Sequence, residues 1–416
     1  MYELFKNVKF IKNRFIEIII LSVCGALNGV LGGFVGSLFS HVLSLVTSIR
    51  AASPWLILLL PIGGIATVAL YRIFRMDDYG GTNEIIRCIE ERCPIRSIAA
   101  PLIFVSTAIT HLFGGSSGRE GAAIQLGGAG ASALADVFRL KHNQRTVFIL
   151  SGMSAVFAGV FGTPLTAAVF ILEFKLDKKV FPLSILPCFI SALIAAKTSA
   201  LMGTEKESAY LSSPLSIALP TVAKILVLSI GISILSAAMC FVFSKSKCLA
   251  KKLVSNPFLR SVSGAVAIIA LTWMIGDMRY NGSGMNMAMN AVEGNADWYD
   301  FILKITFTAI TLAAGFKGGE IVPTFCIGAT FGCFLGSLLG LNTGSSAALG
   351  LIGLFCCATN SPFSAIVLGV EMFGPSVLPY GIFVCLITWL LSGKYGLFYG
   401  RFFKSPIFGR TKKDNQ

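Results

Sequence analysis

Charge is what this chain has least of. Only 13% of its 416 residues are charged, and only 20 of them are acids. A soluble domain averages about 25% charged residues. At half that density, too little polar surface exists to coat a protein of this size in water. The bulk of the chain belongs in lipid, which excludes a soluble enzyme carrying a single anchor. Histidine is scarce too. His41, His111 and His142 are scattered and form no metal-ligand constellation, so no metal or other cofactor is expected. The 11 cysteines include no C-x-x-C pair, and the closest non-adjacent spacing is Cys88 to Cys93. They read as small apolar residues of membrane helices. No P-loop, H-E-x-x-H or G-x-S-x-G motif is present. Asp77-Asp78 has no matching second acidic cluster and reads as a solvated loop. The protein is therefore not expected to be an enzyme.

The net charge of +14 is placed rather than spread. Basic residues precede the first apolar run (Lys6, Lys9, Lys12, Arg14), fill 245–260 without an acid, and close the chain from Lys394 to Lys413. The segment from Asp277 to Asp300 holds four acids and one base, Arg279. The positive-inside rule puts both termini and the 245–260 loop in the cytoplasm and 277–300 outside. The positive charge is then topology, and no nucleic-acid partner is expected. Residues 1–14 form a cytoplasmic segment before a retained first helix, and 401–416 form a cytoplasmic tail. The lipid partner is the cell (inner) membrane, crossed many times.

Twelve apolar runs follow, of uneven length, many broken by the 43 glycines or by proline. A full crossing needs about 20 residues. Shorter and interrupted runs predict tilted, broken or half-crossing helices, tolerated at membrane depth only inside protein or beside a water-filled cavity. The fold class is all-α and polytopic. The chain also repeats. Gly118-Arg119-Glu120-Gly121 lies over Gly318-Gly319-Glu320-Ile321. Gly162-Thr163-Pro164 runs to Glu173 as Asn360-Ser361-Pro362 runs to Glu371. Two features at nearly one offset, in one order, predict two related halves, 15–200 and 215–400. With an odd number of crossings each, the halves insert with opposite orientation.

Three glycine-rich stretches interrupt the apolar pattern before helical segments: 77–84, 114–121 and 315–323. A helix start offers free N–H donors and a partial positive charge. Several starts converging at mid-membrane make an anion site without a full counter-charge, from which the ion can leave. Glu120 opens one such segment beside Arg119. A carboxylate inside a bilayer is costly, by about 2.5–3.5 kcal/mol or more, and is functional by default. Charged, Glu120 can occupy the anion's place; protonated, it can vacate it. Glu173, Glu320 and Glu371 share its repeat-matched setting.

At these residues the chain resembles the CLC family of chloride channels and anion/proton antiporters, over residues 15 to 400. The resemblance implies an inverted-repeat helical fold and a homodimer with a pore in each subunit. It implies Glu120 as the gating glutamate and anion contacts from Gly80, Gly81, Thr82, Asn83, Gly118, Arg119, Gly121, Gly319, Ile321, Val322, Phe398 and Tyr399. After Arg401 only 15 residues remain, so paired nucleotide-binding (CBS) domains are not expected. Chloride-type members carry Gly-Ser-Gly-Ile-Pro-Glu where this chain reads Tyr79-Gly80-Gly81-Thr82-Asn83-Glu84. Its Gly-Gly-Glu-x-x-Pro third motif resembles the bacterial fluoride-exporting branch. That branch often has Thr at the position of Val322 and Tyr near Phe398. Tyr399 is one residue on; otherwise the inner gate is apolar. Phe174 stands where chloride-type antiporters place an inward glutamate, leaving Glu173 or Glu320 to serve. Fluoride export coupled to protons is the favoured expectation. A chloride/proton antiporter and a passive chloride channel are the alternatives.

Overall fold

Long apolar stretches without strand alternation fold as helices, because every backbone N–H and C=O is then satisfied within its own segment. Sixteen α-helices and no named strand occur among the described residues. The computed structural model describes residues 2–91, 93–174, 180–206, 208–209, 211, 219–392 and 396–398, with side chains from residue 16 onward. The first eight helices are α1 (Tyr2–Ala52), α2 (Leu60–Ile73), α3 (Thr82–Glu91), α4 (Ala99–Leu112), α5 (Glu120–Val137), α6 (His142–Phe161), α7 (Pro164–Leu172) and α8 (Phe181–Leu201). The second eight are α9 (Leu219–Leu253), α10 (Pro257–Ile275), α11 (Met285–Val292), α12 (Asp300–Ala313), α13 (Ile321–Leu338), α14 (Thr343–Thr359), α15 (Pro362–Phe373) and α16 (Leu378–Leu390).

The order repeats element by element. The starts of α4, α5 and α6 at Ala99, Glu120 and His142 answer to Asp300, Ile321 and Thr343, each 201 residues later. Between the halves, Gly118 and Gly319 form an antiparallel bridge, with N–H···O distances of 2.7 and 2.6 Å. Matching glycines let helices touch at the backbone. A Cβ on Gly127 of α5 would lie 2.3 Å from the Gly152 carbonyl of α6. One on Gly328 of α13 would lie 2.5 Å from the Gly350 carbonyl of α14.

Helix length follows the sequence breaks. Among the described residues, seven helices are long and apolar enough to cross a membrane. By contrast, α7 has 9 residues, about half a crossing at roughly 1.5 Å per residue. The apolar run 146–174 divides at Gly162 (φ 70°), and the run 346–373 divides at Asn360 (φ 54°). Both residues are left-handed C-caps, and a proline opens each following helix. Outward faces carry bare apolar side chains such as Leu201, Trp273 and Met274, as a lipid-facing surface requires, while α6 is almost wholly enclosed.

Two local features go beyond the sequence reading. Cys88 and Cys93, expected as inert apolar residues, are joined in a disulfide with Cα atoms 4.6 Å apart. The turn after α3 folds back and brings them together. The segment 277–300, read from sequence only as acidic and outside, contains α11, the counterpart of α3. Gly282 and Gly284 turn the chain into it with positive φ.

Candidate anion site

Glu120 is the first residue of α5 and is fully buried. Its Oε2 accepts from the Arg119 N–H at 3.1 Å and from the Val322 N–H at 3.3 Å. One carboxylate oxygen therefore sits at the N-termini of α5 and α13, one from each half. Both supply unsatisfied N–H groups and partial positive charge. The Arg119 guanidinium adds a contact at 3.7 Å. Gly118 leaves room for this: a Cβ there would lie 2.7 Å from the same oxygen.

A cavity of about 370 Å³ is lined by the 79–83 and 315–320 glycine-rich stretches, by Gly121 of the second, and by Phe398. The α3 start is tied to α5. Thr82 Oγ1 donates to the Gly121 carbonyl at 3.1 Å, and the Gln125 amide donates to the same carbonyl at 3.1 Å. Asn83 donates to the Leu397 carbonyl at 3.3 Å, bringing the chain's last described segment to the site. Phe398 packs edge-on against Phe170, which also touches Phe174 and Phe355. Phe398 thus joins the cavity to an aromatic cluster that includes Phe174.

The structure groups most of the expected residues. Gly80, Gly81, Thr82, Asn83, Gly121, Gly319, Glu320 and Phe398 line the cavity. Gly118 forms the bridge to Gly319, Arg119 and Val322 hold Glu120, and Ile321 is buried at the start of α13. Tyr399 lies outside the described residues. Glu173 is placed elsewhere, since it is not among the cavity-lining residues. Its carboxylate accepts from the Phe363 and Ser364 N–H groups at 2.9 and 3.1 Å, capping α15. Glu371 does the same for α7, accepting from Leu165 and Thr166 at 3.0 and 2.7 Å. The repeat that singled these two glutamates out reflects a reciprocal pair of helix caps.

Sequence reasoning passed over the cations of the cavity. Lys247 and Lys251 come from α9, Arg260 from α10, and Lys317 from the third glycine-rich stretch. Lys317 stands over the Tyr71 ring at 4.1 Å, and Lys247 is ion-paired with Glu320. Lys247, Lys251 and Arg260 were visible only as a basic block, which the topology argument absorbed.

Residues 63–393 match the voltage gated chloride channel family. The chain is a member of this CLC family. It is 32% identical over 380 residues to a chloride/fluoride channel protein of Pseudomonas syringae pv. tomato, covering 89% of this chain and 84% of that protein. It is 24% identical over 417 residues to an H+/Cl− exchange transporter of Salmonella arizonae, covering 93% and 87%. Among solved structures, a CLC-type fluoride/proton antiporter superposes with a TM-score of 0.87 at 32% identity, covering 93% of this chain and 98% of that one. A slow cyanobacterial Cl−/H+ antiporter, at 19% identity and a TM-score of 0.72 over 89% and 94%, shares the fold. The membrane character and the inverted-repeat architecture of the CLC fold agree with the reading from sequence.

Proposed function

We propose that this CLC protein exports fluoride across the cell membrane in exchange for protons. The observation that carries the reading is Glu120 Oε2, held by N–H groups from both halves at the positions an anion would need. An anion and this carboxylate compete for the same donors. Protonation removes the charge that the two helix starts favour, and the carboxyl group gives up its place. The anion then enters, and its departure lets the carboxylate return after releasing its proton to the other side. The two movements are opposite because one site serves both. Glu320 lines the cavity and supplies a carboxyl group on the route, at a site where Phe174 offers none.

Fluoride is favoured by the Gly-Gly-Glu-x-x-Pro motif at Gly318 to Pro323 and by the 32% likeness to a fluoride/proton antiporter. The family resemblance supports a homodimer with a site in each subunit. The basic 245–260 segment supports cytoplasmic termini.

The deciding measurement uses the purified chain in liposomes loaded with fluoride or chloride, with a pH electrode present. Fluoride efflux that drives proton uptake, and outpaces chloride, is expected. Glu120→Gln should abolish proton movement, because a permanently neutral amide neither mimics the anion nor carries a proton. Fluoride flux without proton movement would identify a channel, and faster chloride exchange would reassign the substrate.

A further inference from the structure

Glu320 poses an electrostatic problem: it is an acid on the wall of a cavity that passes an anion. The charged groups around that cavity come from four elements. Asp77 and Asp78 lie between α2 and α3, Lys247 and Lys251 on α9, Arg260 on α10, and Lys317 beside Glu320 itself. These cations are not interchangeable. Lys317 is engaged with the Tyr71 ring, and Arg260 donates to the Val254 carbonyl at 3.2 Å. Lys247 reaches across from α9, 73 residues away in sequence, and places its ammonium on Glu320 Oε1. The Glu320 side chain is 17% exposed and that of Lys247 is 45% exposed, so the pair sits at the cavity's wet edge.

We propose that Lys247 is the counter-charge that makes Glu320 compatible with anion passage, and that a proton on Glu320 frees this charge to draw an anion in. The inference rests on the exchange reading above. While paired, the two charges nearly cancel for an ion approaching from the cavity. Without Lys247, an ionised Glu320 repels that ion at close range, where solvent screens least. When Glu320 takes a proton, its attraction for Lys247 loses the ionic part. A full positive charge then faces the cavity, so proton and anion favour each other's arrival. Lys247 acts through Glu320 and is a positioning residue.

The test is a charge series at 247, read as fluoride efflux from liposomes holding the full-length protein. Lys247→Arg should keep most of the flux, Lys247→Met should lower it about tenfold, and Lys247→Glu should lower it further. Combining Lys247→Met with Glu320→Gln should recover much of the flux lost in Lys247→Met, since the pair then carries no net charge, as in wild type. Equal flux for Lys, Met and Glu at 247 overturns the proposal. So does a double variant that carries no more flux than Lys247→Met. If Glu320→Gln itself carries no flux, the charge series decides. Wild-type flux of fluoride without protons would sink the exchange reading while the series still reads the counter-charge. No halide flux from wild type would sink both.

Discussion

Gly319 shows how little room the site leaves at the level of a single residue. Its N–H and C=O both pair with Gly118, and a Cβ there would lie 2.6 Å from the Gly121 nitrogen. That atom is backbone at the α5 start and has no rotamer to escape into. Gly319→Ala should therefore separate the two loops and misplace the Val322 N–H that holds Glu120. The expected result is loss of fluoride flux in liposomes from protein that still purifies as a monodisperse species. Retained flux would show that the bridge is not needed to set the gate. Glu120 was legible in the sequence because an acid between glycines in an apolar run is expensive and rare. Its second partner was not, since Val322 is 202 residues away and contributes only a backbone N–H.

At the scale of elements, α7 and α15 are short half-crossing helices whose N-termini lie inside the protein. Each would leave N–H groups unsatisfied at depth, and each is capped by the glutamate that follows or ends the other. Glu371→Ala should lower the stability of the detergent-solubilised protein by about 1–2 kcal/mol, measured as a fall in melting temperature. Glu173→Gln keeps one accepting oxygen in place of two. It should lower stability without ending proton exchange, and a loss of exchange at full stability would return Glu173 to the proton route. The helix breaks before these elements were readable from Gly162-Thr163-Pro164 and Asn360-Ser361-Pro362, because glycine, asparagine and proline act locally. The α11 helix was not readable, because its eight residues make only about two turns, too few for a helical period to stand out in sequence.

Across the whole molecule, buried glutamates between the two halves are answered by backbone N–H groups, whereas several ion pairs join partly exposed side chains. Outside the membrane segments, Arg279 bonds Asp297 at 2.6 Å and meets Asp300 at 3.0 Å. The hydrogen bond from Arg279 holds the Asp297 carboxyl below the usual carboxylate range. A carboxyl lowered on folding contributes stability above its unfolded value, near pH 4, and loses that contribution as pH falls through its folded value. The stability gap between wild type and Arg279→Gln should thus be steady above about pH 5 and narrow at more acid pH. A gap that widens on acidification in melting curves would contradict this assignment.

Much of the protein was determined by sequence alone. Scarce charge demanded a bilayer, broken apolar runs demanded partial helices, and a repeated Gly-x-Glu-x pattern pointed to an internal repeat and to Glu120. These follow from composition and local spacing, which act within a few turns of chain. Only the tertiary structure decided the partners of the remaining glutamates, because each partner lies far along the chain. Glu173 meets α15 and caps it, whereas Glu320 meets Lys247 of α9 at the cavity edge. The low fraction of charged residues forecast that every buried acid would need an answer. Folding determined which group supplies it.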